Sequence, residues 1–313
     1  MTTIDSAAAA AAAQGPDVTQ VGVVGLGRMG TAFAKNLVAD GIPTVVYDLD
    51  PLKAEALGTI GAEVADGWGA LAKCGLVLSV LPDDPAALDA SERLSEVLRT
   101  SAVHLSMSTI SPSTSRDAAR LHGTLGQGYV AAPVLGNPDL AAARQVFVLV
   151  SGDSEDQQFC MPILERLSQR VFSIGEEPGL ASTLSLAGNA LAAATLQSMG
   201  EILTFVRKAG IDSKLAFSVL TESLFDGRVH KTYGGKIVEQ SYSPPGMTVP
   251  LAIKNLHLAL AEAESVAAPM PVTSIVHDRL VTVLALGWAE LDWSALGKLA
   301  ELNAGLAPSV APR

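Results

Sequence analysis

Cysteine is almost missing from the chain. Cys74 and Cys160 are the only two, far apart and without ligand spacing. That excludes a disulfide framework or a zinc site and predicts reduced thiols in a cytoplasmic enzyme. The five histidines form no HxxxH or HExxH pattern, so no metal site is expected. Positive charge is also scarce, with 21 Lys and Arg against 32 Asp and Glu and a net charge of −11. A nucleic acid or an anionic membrane is therefore not an expected partner. Residues 1–17 are alanine-rich, lack a basic start and carry Asp5 before the apolar run. They read as a disordered leader and not as a secretory signal. No internal repeat is visible. The one long apolar run, Leu184 to Val206, carries Ser185, Asn189, Gln197, Ser198 and Glu201 at helical spacings. It reads as a buried interdomain helix and not as a membrane span. What remains is a chain of 313 residues, 49% hydrophobic and 17% charged, long enough for a large core and two domains.

The densest signal lies near the start. An apolar strand, Gln20 to Val24, runs into Gly25-Leu26-Gly27-Arg28-Met29-Gly30; an amphipathic helix follows, and a second strand, Thr44 to Tyr47, ends at Asp48. A lone GxGxxG is weak, but this one stands between strand and helix with an acid at about the 20-residue spacing of a dinucleotide-binding unit. Gly25 suits the tight turn, Gly27 lets a pyrophosphate approach the backbone, and Gly30 lets helix and strand pack closely. The helix N-terminus offers N–H groups to the phosphates. The bland alternative is a glycine-rich turn without a ligand. Asp48 can accept bonds from a ribose 2′-hydroxyl and would repel a 2′-phosphate, so NAD(H) is favoured, with NADP(H) open because Lys53 can reach back. The bland alternative for Asp48 is a cap on the turn before the helix expected at 51–58.

Further strand-like runs follow at 76–81, 103–107, 129–132, 145–150 and 171–174, with helical patterns at 31–40, 51–58, 68–73, 85–98, 112–124 and 155–168. Such alternation predicts an α/β fold, a Rossmann-type doubly wound and mainly parallel sheet over residues 18–177. Its carboxyl strand ends carry Gly25, Asp48, Leu81-Pro82 and Ser106–Thr109, which can converge on one crevice. From 178 to 313 the strands stop, and helical patterns cover 180–209, 212–224, 227–240, 249–265, 271–287 and 293–304. This predicts an all-helical domain opened by a helix roughly 45 Å long at 1.5 Å per residue, long enough to bridge domains or meet a second subunit.

The segments Val21–Gly30, Met107-Ser-Thr-Ile-Ser-Pro112, Ala132-Pro-Val-Leu-Gly-Asn137, Gly179–Asn189 and Lys254-Asn255-Leu256 together resemble the β-hydroxyacid dehydrogenase family, with the imine reductases as relatives. The resemblance covers about residues 20–305. It implies that Gly25, Leu26, Gly27, Arg28, Met29, Gly30, Asp48, Leu81, Pro82 and Ser108 hold a nicotinamide dinucleotide. It implies that Ser108, Thr109, Leu135 and Asn137 border the substrate, and that Ser185, Asn189, Tyr233 and Lys254 stand at or near the reacting centre. It also implies a homodimer through the helical domain and a small-molecule substrate.

Three departures bear on chemistry. Ser185 stands where the family has its catalytic Lys, with Asn189 retained one turn on. Leu135 and Asn137 replace a Ser and a Gly of the substrate turn, and Asn255 replaces the Asp of a Lys-Asp pair. The pocket has lost groups suited to a carboxylate and to protonating an alkoxide. Imine reductases resemble the chain in tolerating other residues at that helical position, and Pro178-Gly-Leu-Ala-Ser182 looks like their version. The expectation is a reductase of an imine or an uncharged carbonyl. A β-hydroxyacid or semialdehyde dehydrogenase, and a cofactor-binding protein without turnover, stay open. Tyr233 with Lys236 three residues on offers a possible proton donor, although Tyr233, His230 and Phe225 read more simply as pocket lining or dimer packing.

Overall fold

The computed structural model describes residues 20–306; the expected leader at 1–17 lies outside them. The chain divides into two compact units between Ser185 and Leu186.

The first unit is built on β1 (Val21–Val24), β2 (Thr44–Tyr47), β3 (Glu63–Val64), β4 (Leu76–Ser79), β5 (Val103–Ser106), β6 (Gly128–Ala131), β7 (Val134–Leu135), β8 (Phe147–Gly152) and β9 (Arg170–Gly175). Strand order is β3-β2-β1-β4-β5-β6-β8-β7, with β9 paired to β8. Pairings from β3 to β6 are parallel, as is β8 with β9. β8 runs antiparallel to β6 and β7. β1, β4, β5 and β6 are buried along their whole length, and β1 and β4 accordingly read as near-continuous apolar runs. Order reverses between β1 and β4, so the crevice at their carboxyl ends is the switch point where such sheets take ligands.

The helices of this unit are α1 (Arg28–Ala39), α2 (Pro51–Gly58), α3 (Asp84–Val97), α4 (Pro112–Thr124), α5 (Pro138–Ala142) and α6 (Ser154–Leu167), with a 3-10 helix at Trp68–Lys73. Four begin on one local device, an Asp, Ser or Asn cap followed by proline in the first turn: Asp50 before α2, Asp83 before α3, Ser111 before α4 and Asn137 before α5. The cap side chain accepts an orphan N–H, and proline needs none. Phe33 and Leu37 of α1 pack with Val21, Val23, Leu76 and Leu78 on one face of the sheet. Leu71 and Leu94 pack with Val24, Val45 and Val77 on the other.

α7 (Gly179–Lys208) is 30 residues long. Length and composition would let it cross a membrane, yet Leu186, Ala190, Ala193, Leu196, Met199 and Leu203 form a stripe in the core of the second unit. The remaining helices are α8 (Ser213–Ser223), α9 (Arg228–Val238), α10 (Val249–Ser265), α11 (Pro271–Ala285) and α12 (Leu296–Asn303), the last preceded by a 3-10 turn at Trp293–Ala295. Their buried residues, among them Leu256, Leu280, Trp293 and Leu296, close that core.

Candidate active site

The three glycines between β1 and α1 do different work. Gly25 has φ +85°, and a Cβ there would stand 2.4 Å from the Val80 carbonyl oxygen. A Cβ on Gly30 would stand 1.9 Å from the Gly25 oxygen, whereas one on Gly27 would meet nothing within 4 Å. The first and third glycines are therefore demanded by the fold. The middle one faces open space where a Cβ would sit, which is the room a pyrophosphate needs. α1 starts at Gly27 with no side-chain cap and no acid in its first turn, an electrostatic setting suited to an anion. These residues fit a dinucleotide.

Asp48 does more than wait for a ribose. Its Oδ2 accepts from the Leu26 N–H at 2.6 Å, and its Oδ1 from the Asp50 N–H at 2.9 Å and Lys53 Nζ at 3.3 Å. It thus clamps the glycine loop to the end of β2, while the cap of α2 is Asp50, which accepts from Leu52 N–H. Burial opposes its charge, but the Asp50 and Leu26 N–H groups and Lys53 outweigh it and hold the carboxyl below its usual range. With about four lone-pair sites per carboxylate, one remains for a further donor.

At the ends of β4 and β5, the Ser108 hydroxyl accepts from Leu81 N–H at 2.8 Å and faces the Ser79 carbonyl at 3.4 Å. Ser108 is buried, Thr109 half-buried and Pro82 exposed. Ser108 thereby fixes the turn that carries Leu81 and Pro82. In the next turn, Leu135 packs against a cluster of Tyr129, Ala131 and Leu149. Asn137 spends its oxygen on the Leu140 N–H at 2.9 Å as the cap of α5, an intramolecular task not foreseen in the sequence.

Ser185 is fully buried, and its hydroxyl has no hydrogen-bond partner. One turn earlier, Ser182 bonds Ser115 of α4 at 2.9 Å. Asn189, one turn later, is half-buried. In the second unit Tyr233 meets the Trp293 ring edge-on at 5.4 Å. Burial, reinforced by the Asp292 charge, pushes its phenol up to about 12. Lys236 does not serve Tyr233: its Nζ binds Asp292 at 2.9 Å, and Asp292 also accepts from Gly246 and Ser294 N–H. Lys254 is half-buried. Asn255 is buried, with its amide nitrogen 3.8 Å from Met247 Sδ and its oxygen unpartnered.

One arrangement was not legible in the sequence. Gln127 donates both amide hydrogens, to the Ser95 and Leu98 carbonyls at 3.0 and 2.8 Å. Its oxygen therefore faces His122 Nδ1 at 2.7 Å, so that nitrogen must donate. His122 Nε2 then accepts from His104 Nδ1 at 3.0 Å, and His104 Nε2 accepts from the Ser79 hydroxyl at 2.8 Å. The chain has one polarity, with both imidazoles neutral. Burial lowers both histidine pKa values, far more for His104, where the neighbouring His122 adds to it. A period-2 apolar strand signal conceals His104, since β5 reads Val-His-Leu-Ser.

Comparison with known proteins now decides the family. A family model for the NAD-binding domain of 6-phosphogluconate dehydrogenase matches residues 20–175, and one for the NAD-binding domain of NADP-dependent 3-hydroxyisobutyrate dehydrogenase matches 179–300. The chain belongs to the β-hydroxyacid dehydrogenase superfamily. It is 34% identical over 283 residues to the uncharacterized oxidoreductase YfjR of Bacillus subtilis, covering 89% of this chain and 99% of that one. To the 2-hydroxy-3-oxopropionate reductase of Escherichia coli it is 27% identical, covering 91% and 98%. Among solved structures, 3-hydroxyisobutyrate dehydrogenase of Mycobacterium tuberculosis superposes with TM-score 0.83 at 24% identity over 90% of this chain and 99% of that one. An imine reductase from Pseudomonas superposes with TM-score 0.62 at 23% identity over 90% and 99%. These two share the fold. The protein is thus an NAD(P)-dependent oxidoreductase by family.

Proposed function

We propose that this oxidoreductase reduces a C=N bond, or an uncharged carbonyl, of a small molecule. The observation that carries the reading is Ser185, a neutral, fully buried residue at the position where the family's lysine is expected. The nicotinamide cofactor, when bound, supplies the hydride. A protonated imine brings its own positive charge, so hydride addition creates no oxyanion that needs a cation. A lysine at about 4 Å would instead repel it, by roughly 4 kcal/mol at an effective dielectric of 20. Ser185 removes that repulsion, while Leu135 gives the substrate turn apolar surface in place of a hydroxyl donor. Catalysis then rests on positioning the acceptor; the residues to test are Ser108, Thr109 and Asn137 in the first unit and, separately, Asn189, Tyr233 and Lys254 in the second. Gly25–Gly30, Asp48, Leu81 and Pro82 hold the cofactor. We favour NAD(H), because Asp48 keeps its charge at the end of β2; Lys53 beside it leaves NADP(H) admissible.

The second reading is a β-hydroxyacid or semialdehyde dehydrogenase. Similarity to relatives such as the 2-hydroxy-3-oxopropionate reductase of Escherichia coli favours it, with Lys254 or Asn189 replacing the missing lysine. Incubation with NADH or NADPH and a panel of cyclic imines, amine–ketone pairs and β-hydroxyacids, followed by absorbance, separates the two. Turnover of hydroxyacids without imines overturns the first reading, and cofactor binding without any turnover supports a non-catalytic binding protein. A homodimer is part of the proposal. It would cover Leu191, Phe205, Leu215 and Leu224, which are 72%, 66%, 60% and 83% exposed, and sedimentation at micromolar concentration tests it.

A further inference from the structure

The carboxyl edge of the first unit carries an aromatic pair that no step above uses. Tyr47 is the last residue of β2, and Trp68 opens the 3-10 helix that follows β3. Their ring centroids lie 4.7 Å apart with the planes tilted by 52°, so neither ring covers the other's face. Both are half-buried, as is Leu81, and the three pack on the same cluster around Val24, Val45, Leu71 and Val77. An aromatic pair that only plugged this core would be expected to bury both rings.

The position of the three residues is informative. Asp48 immediately follows Tyr47 and clamps Leu26 of the glycine loop. Leu81 reaches that loop from the other side, its Cδ2 2.9 Å from where a Cβ on Gly25 would stand. The apolar patch therefore begins beside the acid suited to a ribose and ends beside the turn suited to a pyrophosphate. A dinucleotide bound by those two features carries one further flat, apolar-faced group on the ribose side, its purine. The other phenyl and phenol rings of the first unit lie elsewhere: Phe33 and Tyr129 are buried, Phe159 of α6 packs on the core around Leu164 and Leu167, and Phe147 and Phe172 pair on β8 and β9.

We propose that Tyr47, Trp68 and Leu81 form the wall against which the adenine of the cofactor lies, with the Trp68 indole as its stacking face. The inference rests on the dinucleotide reading of the glycine loop. A purine is recognised here by its π-face and apolar contact, which every purine offers, so the wall contributes affinity and position and little discrimination between bases.

Adenosine diphosphate ribose, which lacks the nicotinamide, is the probe, and nicotinamide mononucleotide is the control. Calorimetry measures affinity, and tryptophan emission reports the contact. The chain has three tryptophans, and Trp288 and Trp293 lie in the second unit. In the unaltered protein, adenosine diphosphate ribose should change the emission saturably. Trp68→Phe should abolish the change, and Trp68→Leu should weaken binding by about 5- to 150-fold, the range of one base stack. Affinity for nicotinamide mononucleotide should stay within twofold. Calorimetric binding with unchanged emission, or with affinity within twofold in Trp68→Leu, overturns the inference and leaves the cofactor reading intact. Failure of adenosine diphosphate ribose to bind the unaltered protein overturns both. Circular dichroism of each variant establishes that it is folded.

Discussion

Acid should destabilise the first unit through its two buried histidines. His104 and His122 are neutral in the folded chain because each ring nitrogen already has a fixed donor or acceptor role. Burial holds both pKa values below the ordinary 6.5. Unfolded, each takes up a proton near 6.5. The unfolded chain thus binds more protons than the folded one once pH falls through that value. Stability is full above it and declines as pH drops, until the folded histidines themselves titrate. Between pH 7 and 5.5, a histidine that takes up its proton only when unfolded costs at most about 1 kcal/mol, so the pair costs at most about 2 kcal/mol. That is a large share of an ordinary domain stability of about 5–15 kcal/mol. Carboxylates contribute little in this window, since their ordinary values lie near 4. Urea unfolding at several pH values, followed by Trp68 emission, measures the slope. The double variant His104→Asn, His122→Gln should be less stable at pH 7 yet lose most of the slope. Unchanged stability from pH 7 to 5.5, or a slope retained in the double variant, would refute the neutral relay.

Three further outcomes follow from particular contacts. Gly27→Ala should fold with stability within ~1 kcal/mol of the parent but bind cofactor more weakly. Gly25→Ala and Gly30→Ala, whose Cβ atoms would stand 2.4 and 1.9 Å from carbonyl oxygens, should lose folded protein; thermal melts and cofactor titration separate these cases. Lys236→Met should cost the second unit about 3 kcal/mol, because it leaves the fully buried Asp292 carboxylate without its cation; a urea midpoint measures it. Ser185→Lys should lower imine reduction relative to carbonyl reduction by up to about 1000-fold, the full worth of the roughly 4 kcal/mol repulsion worked out above. Equal effects on both substrates would count against the role given to Ser185.

The sheet and most helices were legible because their signals are local. Buried parallel strands read as apolar runs, and a cap followed by proline marks each start of α2 to α5. β3, β7 and α5 escaped notice because two to five residues carry no period. The glycine loop was legible residue by residue, since each glycine answers a steric demand that the spacing itself encodes. Asp48 was legible as an acid at the right place, but its clamp on Leu26 depends on β1 and β2 lying side by side in register. Asp292 and the His104–His122 chain were hidden for the same reason: their partners come from distant segments. The pairing of Tyr233 with Lys236 failed because a buried carboxylate 56 residues away competes for the lysine.

The most direct test of the account is a comparison of kcat/KM under one set of conditions, for a cyclic imine with NADH and for a β-hydroxyacid with NAD+. A neutral residue at position 185 predicts that the imine is turned over at least tenfold more efficiently. Efficient oxidation of the hydroxyacid with no detectable imine reduction would contradict it.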